Sequence, residues 1–154
     1  MRLMRLVGAL MPVLLFTVLT SATVSAAPPE DVVFELHPTT FFPEEHGPWE
    51  ASGADMDSGL FVRTEARTSP PDRPFGVPGP FKEVFVLTGS QGTLTIKAES
   101  RDTGEGITGV WQIEAGTGLY ERASGHGTVA FSAVPGLFTL TLTGVAKKVD
   151  DAIP

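Results

Sequence analysis

The sequence contains no cysteine, and this absence excludes several classes of protein. Without a thiol there is no cysteine nucleophile, no disulfide, no thiolate metal site and no lipid anchor on a cysteine. Small secreted domains often depend on disulfides. A domain of roughly 130 residues buries about two-thirds of its unfolded surface, however, and needs no such cross-link.

Positive charge is scarce as well. The chain has 11 Lys and Arg against 18 Asp and Glu, which gives a formal net charge of -7. Lys147–Lys148 is the only adjacent basic pair, and its simplest interpretation is a solvated strand end. An acidic chain without a basic patch repels the phosphates of nucleic acid and anionic membrane surfaces. We therefore expect no nucleic-acid partner.

The N-terminus has the layout of a secretory signal. Arg2 and Arg5 precede an apolar run from Leu6 to Leu19, and small residues follow as far as Ala26. We predict a signal peptide over residues 1–26 and a secreted or extracytoplasmic protein, in the periplasm or cell envelope. The alternative is an uncleaved anchor, but the run is shorter than the ~20 residues of a spanning helix. After cleavage we expect no membrane contact.

The remaining residues, 27–154, alternate between short apolar–polar runs and turn signals, without a sustained helical period. In the last run, Phe138, Leu140 and Leu142 alternate with threonines, which is typical of a strand with one buried face. Eight strands are predicted on this basis, at 32–36, 49–54, 60–66, 82–88, 93–99, 107–114, 127–133 and 137–146.

An all-β domain of eight strands must protect its sheet edges, and a closed barrel removes them. Because the strands follow one another as sequential hairpins, we predict a single domain that is an eight-stranded antiparallel up-and-down barrel. A two-sheet β-sandwich is the alternative.

One segment interrupts the strands. Residues 69–80 hold five prolines and two glycines, and proline lacks the donor that a central strand needs. We predict a long loop here, with Phe75 and Val77 packed rather than solvated. Long loops in compact domains are often functional, so this one is a candidate lid over a barrel mouth.

Residues 109–127 run GVWQIEAGTGLYERASGHG, in which Trp111 precedes a Gly-Thr-Gly turn, Tyr120 and a Gly-x-Gly pair. This order resembles the signature of the allene oxide cyclase/dirigent-like barrel superfamily, most closely its small secreted bacterial members of unassigned function. The similarity covers about residues 84–146. It implies an eight-stranded antiparallel barrel with a cavity and, because such proteins often self-associate, a homo-oligomer.

The motif has a structural interpretation. Gly116 and Gly118 allow positive φ or a close backbone approach at a tight corner. Tyr120 is expected to pack against the barrel while its hydroxyl finds a backbone partner. Gly125 and Gly127 are expected where a strand begins and a side chain would clash. No catalytic residue is carried over from the resemblance.

Motifs for chemistry are absent from the sequence. The three histidines form no metal-type pair, and Glu44–Glu45–His46 lies in a proline-bounded stretch that favours a surface turn. There is no Gly-x-Ser-x-Gly elbow, and no glycine pair is followed by a helix that could bind phosphate. We expect no metal and no cofactor.

A barrel of eight strands either fills with its own side chains or holds one small ligand. The candidates for a ligand cavity are Phe61, Phe85, Trp111, Phe131 and Phe138. The candidates for polar groups in the lumen are Arg63, Glu65 and Glu114. A solvated face is the default interpretation for Arg63, Glu65 and Arg67, because a buried ion pair is costly unless it is well paired.

We expect a binding protein for a small apolar molecule rather than an enzyme. The alternatives are a cyclase- or dirigent-type enzyme acting on an apolar substrate, and a self-associating envelope protein whose barrel is filled.

Overall fold

The computed structural model describes residues 28–40, 44–53 and 56–148. These residues form a closed barrel in which each strand pairs with the next and β8 returns to β1. All eight pairings are antiparallel, and the predicted up-and-down barrel is confirmed over the sandwich. The strands are β1 (Glu30–Leu36), β2 (His46–Gly53), β3 (Ser58–Thr68), β4 (Gly79–Gly89), β5 (Thr93–Asp102), β6 (Ile107–Gly116), β7 (Ser124–Val134) and β8 (Leu137–Lys147), with a short 3-10 helix at Gly118–Tyr120.

The predicted signal peptide, residues 1–26, lies outside the described residues. Within the described part of the chain, no helix is long and apolar enough to cross a membrane.

All eight predicted strands are present, with ends that differ from the prediction by at most three residues, and two of these differences change an interpretation. β4 begins at Gly79, so Pro80 belongs to a strand and the loop is shorter than 69–80. Proline is tolerated at this position because the ladder between β3 and β4 ends at the pair of Thr68 and Phe81. Beyond that pair, Pro80 bonds to Ser69 through its carbonyl oxygen, which accepts the backbone N–H of Ser69. β2 begins at His46, so the stretch predicted as a surface turn ends in a strand.

Inward-facing side chains fill the middle of the barrel. Phe34 meets Trp111 edge to face at 5.6 Å between ring centroids, and Phe61 meets Phe85 at 6.1 Å. All four side chains are at most 2% exposed. The lumen is therefore packed at this level by its own aromatic residues.

Gly127 of the motif lies where strand backbones come close together. Trp111 on β6 pairs with Gly127 on β7, and its indole nitrogen donates to the carbonyl of Thr143 on β8 at 3.3 Å. A Cβ on Gly127 would lie 2.0 Å from that same carbonyl oxygen. Glycine is required at position 127 because the backbone of β8 lies too close for a side chain.

The β2–β3, β4–β5 and β6–β7 connections lie at one end of the barrel, here called the base. The carboxylate of Asp57 links these connections through hydrogen bonds. Asp57 accepts hydrogen bonds from the backbone nitrogens of Ser58 (2.9 Å), Ser90 (3.0 Å) and Gln91 (3.3 Å), and from the Ser90 hydroxyl at 2.8 Å. The buried Tyr120 hydroxyl donates to it at 2.9 Å. The predicted backbone partner for Tyr120 is therefore wrong, because this carboxylate takes its place.

The other glycines of the motif act as predicted. Gly118 has a φ of +62° at the start of the 3-10 helix. A Cβ on Gly116 would lie 2.0 Å from the carbonyl oxygen of Tyr120, and one on Gly125 would lie 2.8 Å from that of Val145. These positions fix the β6–β7 connection, which holds Tyr120 against Asp57.

Burial raises the pKa of Asp57, but hydrogen bonds from Ser90, Ser58 and Tyr120 outweigh it and hold the pKa below its ordinary value of 3.8. We expect Asp57→Asn to lower the free energy of unfolding by about 2–3 kcal/mol near neutral pH, because an ionised acceptor of several donors is lost. The ionised Asp57 stabilises the fold above its ordinary pKa, and this stabilisation is lost as pH falls through its lower pKa in the folded protein. The difference in free energy of unfolding between Asp57→Asn and the parent should therefore become smaller in acid. Urea denaturation across pH measures it.

The matched control is Asp72→Asn, since Asp72 is exposed in the β3–β4 loop. Equal destabilisation by the two substitutions would contradict a special role for the base carboxylate.

Candidate functional site

The opposite end of the barrel, here called the mouth, carries the β1–β2, β3–β4, β5–β6 and β7–β8 connections and contains a cavity of about 130 Å³. Phenylalanine and aliphatic side chains form much of its wall, and charged groups converge on it. Its lining residues are Glu45, Arg63, Arg73, Phe75, Gly76, Phe81, Glu83, Asp102, Ile107, Phe131 and Leu140. A wider groove of about 770 Å³ is lined by residues 66–75 alone, and no buried charged group faces it.

A buried ionic triad forms one side of the mouth pocket. The Nη1 atom of Arg63 lies 2.6 Å from a carboxylate oxygen of Glu45 and 2.7 Å from one of Glu83. All three residues are at most 9% exposed. One guanidinium nitrogen therefore serves two carboxylates inside the barrel.

Different parts of the chain bring the triad together. Arg63 and Glu83 lie on neighbouring strands, β3 and β4, and both point inward. Glu45 precedes β2, and its carbonyl accepts the backbone N–H of Arg63 at 2.8 Å. This backbone contact fixes the connection against β3, so that the Glu45 side chain reaches the guanidinium.

Both carboxyl groups are harder to ionise than usual. Burial raises the pKa of Glu83 to about 7, although the hydrogen bond and the charge of Arg63 act in the opposite direction. Burial also raises the pKa of Glu45 above its ordinary value, with Arg63 again opposing. A carboxyl group that changes its charge near neutral pH therefore faces the pocket.

The proline-rich loop folds over the mouth. Phe75 packs edge-on against Phe81 at 5.9 Å, and the Arg63 guanidinium lies 5.6 Å from the centre of the Phe75 ring. Arg73 donates to the carbonyl oxygens of Ser69, Val77 and Pro80. The guanidinium of Arg73 thus ties the two ends of the loop together, and Phe75 covers part of the pocket.

The predicted cavity residues separate into two groups. Phe131 lines the mouth pocket, and Phe138 stacks on it at 6.2 Å with nearly parallel rings. Phe61, Phe85 and Trp111 belong to the packed core and do not line this pocket.

Of the polar lumen candidates, Arg63 lies inside, and its default interpretation as part of a solvated face is wrong. Glu65 and Glu114 are exposed on the outer wall, so the prediction is wrong for both. The pairing of β3 with β4 shifts register between Arg63 and Glu65, and this shift turns the Glu65 side chain outward. There a carboxylate oxygen of Glu65 forms an ion pair with Nη2 of Arg67 at 3.2 Å. Glu114 sits at a second register shift, opposite Thr95 and Ile96.

Sequence reasoning missed Glu83, and its assignment of Glu45 to a surface turn is wrong, because the Glu45 side chain is buried against Arg63. Glu83 had a signal, because it alternates with Phe81 and Phe85, which are both buried in β4. Glu45 had none, since it lies in a connection without periodicity. On the outer wall, Glu35, His37 and Glu50 place three ligand-type atoms within 4.8 Å of one another, but all three are at least partly exposed and form an ordinary ion-pair cluster.

We expect Glu83→Gln to change how stability depends on pH. In the unfolded chain Glu83 ionises near 4.5, whereas in the fold it stays protonated to about 7. Rising pH therefore destabilises the parent across this interval. The advantage of Glu83→Gln in free energy of unfolding should grow between pH 5 and 8, to roughly 3 kcal/mol at about 1.4 kcal/mol per pKa unit. Urea midpoints across pH measure it.

Glu114→Gln is the control, because Glu114 is exposed. A constant difference between Glu83→Gln and the parent at all pH values would contradict the raised pKa.

Compared with protein-family models and with curated proteins, the chain matches none. The resemblance to allene oxide cyclase/dirigent-like barrels therefore stays a prediction, which rests on the motif at residues 109–127. The closed eight-stranded barrel is the architecture that this resemblance implies, but one fold serves many functions, so function must be argued from the site.

Proposed function

We propose that this protein is an extracytoplasmic binding protein that holds a small, largely apolar molecule in the mouth pocket without converting it. The observation that carries the proposal is the pocket itself. Phe81, Phe131 and Leu140 form an apolar wall, and the buried ionic triad of Arg63, Glu45 and Glu83 lies beside it. Apolar walls with a few converging polar groups are typical of small-molecule sites. The extracytoplasmic location rests on the predicted signal peptide.

The size of the pocket limits the ligand. A closed apolar cavity of ~150 Å³ holds a molecule the size of benzene. The mouth pocket, at about 130 Å³, has room for a ligand or a ligand end of similar or smaller size. A larger molecule would have to extend past Phe75, which is 37% exposed in the loop.

Filling the pocket should abolish binding. Ile107 lines the pocket from β6, whereas Val110 on the same strand is 57% exposed on the outer wall. We expect Ile107→Trp to remove the binding of small apolar compounds, because the indole occupies the cavity. Native mass spectrometry and thermal-shift measurements with an apolar-compound panel test this.

Val110→Trp adds the same ring outside and should leave binding unchanged. The binding proposal is wrong if native mass spectrometry finds no small molecule bound to the parent protein and no compound shifts its melting temperature. A self-associating envelope protein whose barrel is filled by its own side chains would then be favoured.

A cyclase- or dirigent-type enzyme is the second candidate, and Glu83 favours it. A general acid or base works best when its pKa lies near the working pH, and the pKa of Glu83 is about 7. Its carboxyl group lies beside the apolar wall, where a reactive apolar molecule would be held.

Turnover separates the two candidates. A compound recovered with the protein should be incubated with it and followed by liquid chromatography and mass spectrometry. A binding protein returns the compound unchanged. Conversion that falls at least a hundredfold in Glu83→Gln and persists in Glu114→Gln would instead assign an enzyme, since a positioned acid or base contributes ~10²–10⁴-fold.

A further inference from the structure

We propose that the ligand of the mouth pocket carries a small organic ammonium group, which binds beside the carboxylates of Glu45 and Glu83 with its apolar part against the phenylalanine wall. This inference rests on the proposed binding function and adds the chemical class of the ligand. It depends on three features of the pocket: its charge balance, the hydrogen bonding of its two arginines and its aromatic rings.

The charged groups that face the pocket have an acidic surplus. Glu45 lies in the β1–β2 connection, Glu83 on β4 and Asp102 at the end of β5, against Arg63 on β3 and Arg73 in the β3–β4 loop. With all five ionised, the pocket carries one more negative charge than positive. Asp102 and Arg73 are only half-buried, but the buried Glu45, Glu83 and Arg63 alone carry the same surplus when ionised. A buried surplus favours a bound cation, because attraction between charges is strong where water is excluded.

Both arginines already have oxygen acceptors within the protein. The Nη1 atom of Arg63 is engaged by Glu45 and Glu83 at 2.6 and 2.7 Å. Arg73 donates to the carbonyl oxygens of Ser69 and Val77 in its loop and of Pro80 at the start of β4. An anionic ligand would add a negative charge beside two buried carboxylates, which is unfavourable.

The aromatic wall suits an organic cation. Phe75, Phe81 and Phe131 line the pocket, and the Arg63 guanidinium already lies over the Phe75 ring at 5.6 Å. Ring faces attract cations, and aromatic walls are a common means of recognising ammonium ligands. A bare Ca²⁺ ion would need six to eight oxygen ligands, more than two carboxylates supply.

Protons should compete with such a ligand. Glu83 loses its proton near pH 7, so the acidic surplus is present above that pH and is cancelled below it. Affinity for an ammonium compound should therefore rise between pH 6 and pH 8, whereas affinity for a neutral compound of the same shape should not.

The test uses three probes that share a short alkyl chain: n-butylamine, 1-butanol and butanoate. Dissociation constants from NMR titration of the purified protein at pH 8 should show the ammonium compound binding at least tenfold more tightly than the alcohol, with butanoate weakest. The ratio of amine to alcohol affinity should fall towards one at pH 6. It should also fall in Glu83→Gln at pH 8, while Glu114→Gln keeps the parent ratio.

The outcomes separate this inference from the proposed function. If 1-butanol binds as tightly as the amine, or butanoate binds more tightly, the ammonium assignment is wrong while a small-molecule site remains. If no probe binds to the parent protein and the apolar panel also gives no shift, both proposals fail.

Discussion

The interior of an eight-stranded barrel has little more room than its own side chains need, and this constraint decides where a ligand can bind. In this protein Phe34 and Trp111 meet edge to face in the middle of the lumen, and both are buried. The Asp57 network closes the base. Space of about 130 Å³ remains at the mouth, where the proline-rich loop replaces the strands as a wall. Within the described part of the chain, the mouth is therefore where the interior has room for a ligand.

The pKa of a buried carboxyl group is shifted in opposite directions at the two ends of the barrel. At the base, Asp57 accepts from several backbone and hydroxyl donors, which outweigh its desolvation and lower its pKa. At the mouth, Glu83 has one guanidinium that it shares with Glu45, and burial raises its pKa to about 7. The number of donors, rather than burial alone, decides whether the carboxyl group is permanently charged or titrates near neutral pH.

Much of the fold could be predicted from the sequence, because alternation reports which side of a strand is buried. The same rule put Arg63 and Glu65 on one face of their strand, but only Arg63 lies inside, because the register shift after it turns Glu65 outward. A bulge depends on the pairing of two strands and leaves little trace in the sequence of one. Glu45 and Asp57 lie in connections outside any period, so the partners of Arg63 and Tyr120 were not predictable.

The ionic triad has a cost that packing alone would not require. Replacing a buried ion pair by well-packed apolar residues is often neutral or stabilising. This chain packs the middle of its lumen with aromatic and aliphatic side chains, yet it keeps three charged residues at the mouth, beside the remaining cavity. Buried groups with shifted pKa values next to a cavity are typical of functional sites. The buried ionic triad and the cavity lie at the same end of the barrel, and the proposed ligand explains this arrangement better than a contribution to stability does.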